Sequence, residues 1–335
     1  MRTFCAEVRR ATSEPIFATA PVKARGWLLI RHPGPWPATG LPADLPPAVD
    51  TVAALATAAG FRPQLIRRPA ERAPLWPIGI YLGGTGRSGP WLEYRELAGP
   101  DEAAGLLDLL TPAAVEAAAA GDPPGFGAGV DHRVLLVCGH GSRDPCCARI
   151  GRPMALALAG EYPELVWESN HLGGHRFAAN LVTVPDGSYH GGLDRGRGRQ
   201  VAAATLRGEV DLASYRGLAG RSGAAQAADW YARQHTGQVG LDAVEIVMER
   251  RNETADATVT VELRVAGEPI RAVVRSVTPP VERLISCATG EMGTPEHYEL
   301  VELIASVRAA RRPSGPAAAP SAKKPQAAPP RSAMP

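Results

Sequence analysis

Between residues 138 and 175, two short boxes of donor side chains lie at the ends of predicted strands, and any fold of this chain has to position both. The first, CGHGSRDPCCARIG, carries Cys138 and Cys147 with eight residues between them. The second, HLGGHRF, carries His171 and His175 with three between. Thiolate is a soft donor and imidazole a borderline one. That set suits iron–sulfur clusters and zinc rather than magnesium or calcium.

The residues around the boxes alternate between strand and helix signals. His132–Val137 (HRVLLV) predicts a buried strand, Ala148–Ala159 a helix and Leu165–Glu168 a second strand. A short helical turn is expected around Arg176–Asn180. Leu181–Val184 and Ser188–His190, joined by a Pro-Asp-Gly turn, predict a β-hairpin, and Arg199–Arg207 a closing helix. The order β-α-β-(α)-β-β-α is that of a thioredoxin-like unit, here residues 130–208. Cys138 then ends one strand, Cys147 precedes a helix, and His171 ends the neighbouring strand.

Four parts are expected along the chain. Residues 1–125 predict a small α/β domain, with strands at Gly26–Arg31, Ile78–Leu82 and Trp91–Glu96 and a helix over Pro47–Ala59. Its glycine-rich Gly83–Arg87 carries no phosphate-loop Lys-Ser/Thr and reads as a turn. After the thioredoxin-like unit, residues 209–312 predict a helix near Ala224–Gln234 and a β-rich unit. The strands of that unit fall at Ala243–Met248, Ala257–Val265 and Ile270–Val277, and a last helix is expected near Leu300–Ala309. Residues 313–335 are dense in Pro and Ala and predict a disordered tail. The fold class is α/β (α+β).

Composition excludes some functions. With 36 basic and 34 acidic side chains the net charge is about +2, so no strong field favours nucleic acid or an anionic membrane. No apolar run is long enough to span a bilayer, and the N-terminus lacks the apolar region of a secretory signal. A cytoplasmic protein is expected. Of five cysteines, three cluster at 138, 146 and 147, which favours metal or redox chemistry over a disulfide framework. Cys5 and Cys287 stand alone in sequence and read as inert buried thiols.

Three metal sites compete for the boxes. A zinc finger fits the HxxxH half but not the Cx8C half or the 23-residue gap between Cys147 and His171. A Rieske centre needs one Cys and one His from each of two boxes, and Cys138-Gly139-His140 has no matching second box. The remaining choice is a [2Fe–2S] cluster with Cys138 and Cys147 on one iron and His171 and His175 on the other.

The stretches VCGHGSRDPCCARIGRPMALAL (from Val137) and VWESNHLGGHRFAANLVTVPDGSYHG (from Val166) resemble the sucrase/ferredoxin-like family of thioredoxin-like [2Fe–2S] ferredoxins. EPIFATAPVKARGWLLIRHPGPWP, from Glu14, is similar to that family's opening segment. The resemblance covers about residues 1–235 and implies a cluster held by Cys138, Cys147, His171 and His175. Family register after Arg143-Asp144 points to Cys147 as the second thiolate, with Cys146 as a substitute or a supporting thiol. His140 is a candidate donor to cluster sulfur, and Arg143 and Asp144 are candidates for orienting the ligand loop or for a plain ion pair. No carboxylate pair supports sugar hydrolysis.

The function expected is one-electron transfer coupled to protonation of the histidine ligands, with a redox partner protein (a reductase or an electron acceptor). An electron carrier is expected rather than a stand-alone enzyme. The alternative from another class is a zinc-stabilised interaction module without redox activity.

Overall fold

The computed structural model describes residues 3–70, 72–86, 89–252 and 257–305. The Pro/Ala tail expected at 313–335 lies outside them. A short helix α1 (Cys5–Ala11) opens the chain, followed by β1 (Gly26–Arg31), α2 (Pro47–Ala58), β2 (Phe61–Arg67), β3 (Ile78–Gly86) and β4 (Gly89–Leu97). Helices α3 (Pro100–Leu109) and α4 (Pro112–Ala119) and the two-residue β5 (Ala128–Gly129) complete the first half. Gly83–Gly86, expected to turn, instead continue β3 in its hairpin with β4, Gly83 facing Leu92 and Gly86 facing Gly89.

The second half follows as β6 (Val134–Cys138), a π-helical turn at Cys147–Gly151 running into α5 (Arg152–Ala159), then β7 (Val166–Ser169) and a 3-10 turn at His175–Phe177. The hairpin β8 (Leu181–Val184) and β9 (Ser188–His190), helix α6 (Arg195–Leu206) and β10 (Tyr215–Leu218) close it. β6 pairs parallel with β7 and antiparallel with β8, and β8 pairs antiparallel with β9. This is the element order expected of the thioredoxin-like unit.

Both halves share one ten-stranded sheet in the order β10-β9-β8-β6-β7-β2-β1-β3-β4-β5. Its seam is short: β2 and β7 pair only through Ile66 with Ser169 and Arg67 with Glu168. Side chains alternate across a strand, and β6 is buried on both faces, as a central strand must be. Leu135 and Val137 pack under Met154, Ala155 and Leu158 of α5 and Val201 of α6. Val134, Leu136 and Cys138 point to the other face, into a core that also holds Trp27, Leu29, Trp167 and Cys147. Helix α2 lays Val49, Val52, Ala53 and Ala56 on the first-half strands.

Helix α7 (Gly223–Thr236) then covers a second sheet with its alanines, Ala224, Ala227, Ala228 and Ala232. That sheet is antiparallel, in the order β11 (Val244–Arg251), β12 (Thr258–Val265), β13 (Glu268–Val277) and β16 (His297–Ala305). The helix expected at Leu300–Ala309 is therefore strand β16 through Ala305, and residues 306–309 lie outside the described part. The edge of β13 offers a row of backbone groups that pairs Ile270 with Ala305 through Val277 with His297. That ladder outweighs the helix-like spacing of the apolar residues. Between β13 and β16 the chain makes an excursion through β14 (Arg283–Leu284) and β15 (Met292–Gly293) that packs against α1.

Candidate metal centre

The parallel pairing of β6 and β7 sets Cys138 directly beside Ser169 at the carboxyl ends of both strands. Loops leaving such ends converge, which is why sites form there in sheets of this kind. β7 stops at Ser169, so His171 lies two residues past the strand rather than at its end. Asn170 ties that step to β2, its N–H donating to the Leu65 carbonyl at 3.0 Å and its Oδ1 accepting from Leu65 N–H.

Cys147 is returned to Cys138 by the loop 139–146. The Cys147 N–H donates to the Asp144 carbonyl, and the π-helical turn starts there. One turn later stands Gly151, where a Cβ would overlap the Cys138 carbonyl. Only glycine lets the helix approach the strand this closely. Arg152 bonds the Gly139 carbonyl and the Glu168 carboxylate from the same nitrogen, both at 3.0 Å. Glu168 in turn receives two bonds from Arg67 across the seam.

The ligand-bearing atoms of Cys138, Cys147 and His171 lie within 4.8 Å of one another. Cys138 and Cys147 are buried and His171 half-buried. Cys138 is pushed well below the usual thiol range, first by a hydrogen bond from Cys147 and then by the His171 imidazole, against the cost of burial. Cys147, as the donor of that bond, is pushed up. Of the two thiols, Cys138 is therefore the one that ionises more readily.

His175 stands beside this trio, its ring 5.4 Å from that of His171, centroid to centroid. Its Nε2 is 2.6 Å from the Ile285 carbonyl. A carbonyl only accepts, so Nε2 carries the proton and the lone pair sits on Nδ1. That Nδ1, like the Nδ1 of His171, is buried with no hydrogen-bond partner among the described residues. Burial pushes the His175 imidazolium pKa down, against the pull of Asp144, so the ring is held neutral, as a metal ligand must be. Two thiols and two imidazoles with buried, unpartnered nitrogens fit a soft or borderline metal group.

The loop HLGGHRF is fastened from beneath. Arg216, 2% exposed, donates to the Gly173 carbonyl at 3.1 Å and to Asn180 Oδ1 at 2.8 Å. Asn180 donates to the Gly174 carbonyl. Gly173 and Gly174 both take positive φ, 98° and 70°, which turns the chain back so that both rings serve one pocket. Burial lowers the Arg216 pKa to about 9, which leaves the guanidinium charged at neutral pH.

The supporting residues occupy distinct surroundings. His140 is buried, with Nε2 bonded to the Pro37 carbonyl at 2.9 Å and Nδ1 unpartnered. Arg143 is exposed and lines a cleft of about 530 Å³ that also reaches His140 and His171. Asp144 is fully buried and is not paired with Arg143 among the described ion pairs. It accepts instead from the Cys146 and Cys287 N–H groups, both at 2.9 Å. Cys146 points away from Cys147 and meets Cys5 and Cys287, sulfur to sulfur, at 3.4 and 3.3 Å. The two cysteines read as solitary are thus neighbours. Nothing in the spacing of residues 5, 146 and 287 signals it. Arg216 and Ile285 were equally silent in the sequence.

With this geometry in view, the family model of the sucrase/ferredoxin-like proteins matches residues 76–252. The chain belongs to the sucrase/ferredoxin-like family. The match spans both ligand boxes, the Arg216 prop and β11, the first strand of the second sheet. Comparison with curated proteins and with solved structures finds no match. No helix among the described residues is long and apolar enough to cross a membrane.

Proposed function

We propose that this chain is an electron carrier whose Cys138, Cys147, His171 and His175 hold a [2Fe–2S] cluster. The observation that carries the reading is the pair of buried, unpartnered imidazole nitrogens next to the Cys138–Cys147 thiol pair, in a member of a family named for its likeness to ferredoxins. Such a cluster supplies reversible one-electron chemistry, and neutral imidazole in place of two thiolates raises its potential.

The residues of the chain set the proton chemistry. His175 holds its Nε2 proton against the Ile285 carbonyl, away from solvent, so that proton is difficult to remove. His171 lines the cleft, where solvent has access. With a cluster held there, electron uptake would be coupled to a proton at the imidazole that solvent reaches. A redox partner protein docks at the cleft mouth, and neither nucleic acid nor a membrane is a partner, in keeping with the near-neutral charge. Sulfur contacts of 3.4 and 3.3 Å are far longer than an S–S bond of about 2.05 Å. Reduced thiols of this kind suit the cytoplasm.

The test is the midpoint potential against pH. It should fall by about 59 mV per unit where one proton accompanies one electron. His171→Cys should flatten that slope more than His175→Cys. A potential independent of pH from about 6 to 10 would exclude histidine-coupled transfer. Stoichiometric zinc without sulfide would instead support a zinc-stabilised interaction module.

A further inference from the structure

Cys5, Cys146 and Cys287 come from the first helix, the ligand loop and the excursion between β13 and β16, each 141 residues or more from the next. Their sulfurs and a carboxylate oxygen of Asp144 all lie within 4.8 Å of one another, and all four residues are buried. Thiol–thiol contacts hold a fold together weakly, so the convergence of three such distant segments calls for a stronger tie. Asp144 adds order of its own. By accepting the N–H groups of Cys146 and Cys287 and, at 3.4 Å, the Ser286 hydroxyl, it fixes the backbones that carry two of the three sulfurs.

We propose that Cys5, Cys146, Cys287 and Asp144 form a second metal site that takes a single divalent zinc-type ion, separate from the cluster site. Three thiolates and an oxygen are a borderline-soft donor set with a preference for tetrahedral zinc. Metal–sulfur bonds of about 2.3 Å put tetrahedral sulfurs about 3.8 Å apart. The observed 3.4 and 3.3 Å therefore need to open by only a few tenths of an ångström. The ion would pin α1 and the 285–287 segment to the ligand loop. That segment carries the Ile285 carbonyl that holds His175, so the site braces the cluster pocket from outside. The Cys146–Cys147 peptide bond joins the two sites directly.

The test uses the full chain, purified without chelator, with zinc, iron and sulfide counted per chain and zinc-edge X-ray absorption measured. About one zinc per chain with three sulfurs and one oxygen is expected. Cys5→Ser and Cys287→Ser should each lose at least nine-tenths of that zinc while keeping iron and sulfide. Should the variants misfold, the wild-type absorption spectrum still decides. No bound zinc after incubation with excess zinc and desalting overturns the proposal, as does a disulfide between two of the three cysteines in protein purified under reducing conditions. Zinc ringed by two sulfurs and two nitrogens, retained by both variants, overturns it too, and places the metal at the Cys138 site instead. Absence of iron and sulfide alongside a three-sulfur zinc would defeat the ferredoxin reading alone.

Discussion

Replacing Arg216 by methionine removes the prop under both histidines while keeping the apolar length of the side chain. Arg216 donates to the Gly173 carbonyl, Asn180 Oδ1, Thr19 Oγ1 and the Thr19 carbonyl, and its guanidinium lies 4.9 Å from the Phe177 ring centre. Left without a donor, each buried acceptor costs about 1–3 kcal/mol. Against that, methionine spares the several kcal/mol spent desolvating a cation. The bond to Asn180 Oδ1 is buried and the other three are part-buried, which leaves a net loss of about 2–4 kcal/mol. Because two of the bonds hold residues 173–180, the loss should appear there first as local opening, roughly 30-fold or more at about 1.4 kcal/mol per decade. Hydrogen exchange resolved by segment is the assay, with iron retention under mild chelation read alongside. Arg275→Met, which breaks an exposed pair with Glu299, is the control and should shift little. Exchange at 173–180 within about threefold of wild type, with iron retention unchanged, would refute the claim that Arg216 positions the histidine loop.

Three further outcomes are expected. Cys147→Ser should abolish most of the iron and sulfide, whereas Cys146→Ser should keep both, because Cys146 faces Cys5 and Cys287 rather than Cys138; equal loss in the two variants would contradict this division. Burial drives the His190 pKa down to about 4, so the folded protein resists a proton that the unfolded chain accepts near 6.5. Stability on that account is complete above about 6.5 and falls as pH drops toward 4, by up to about 3 kcal/mol. His190→Gln should flatten this acid limb in denaturant titrations, and an unchanged limb would assign the acid loss elsewhere. Glu168→Gln should cost about 1–3 kcal/mol, since it weakens two bonds from a mostly buried Arg67 and one from a half-exposed Arg152; a denaturation midpoint equal to wild type would remove Glu168 from the seam.

The thioredoxin-like half was legible because its signals are local. The continuous apolar run along Val134–Val137 gives a strand buried on both faces, and Pro185–Gly187 marks the hairpin turn between Leu181–Val184 and Ser188–His190. The two boxes were legible because their donors are rare residue types at short spacing. What stayed hidden depends on chain returning from afar. Arg216 looks like one arginine among many until β10 places it under Gly173. Ile285 shows its value only as a backbone carbonyl, which the side-chain identity does not encode. Leu300–Ala305 spaces its apolar residues like a helix, and only the open edge of β13 decides for a strand. The shared sheet, too, rests on a two-residue seam at Ile66 and Arg67 that no periodicity marks.

The most direct test of the central claim is the metal and sulfide content of protein made with ample iron and purified without oxygen, combined with nitrogen hyperfine spectroscopy of the reduced state. The account predicts two irons and two acid-labile sulfides per chain with two coupled histidine nitrogens, lost together in Cys138→Ser. An iron–sulfur cluster without nitrogen coupling, or a chain that binds only zinc at Cys138 and Cys147, would contradict it.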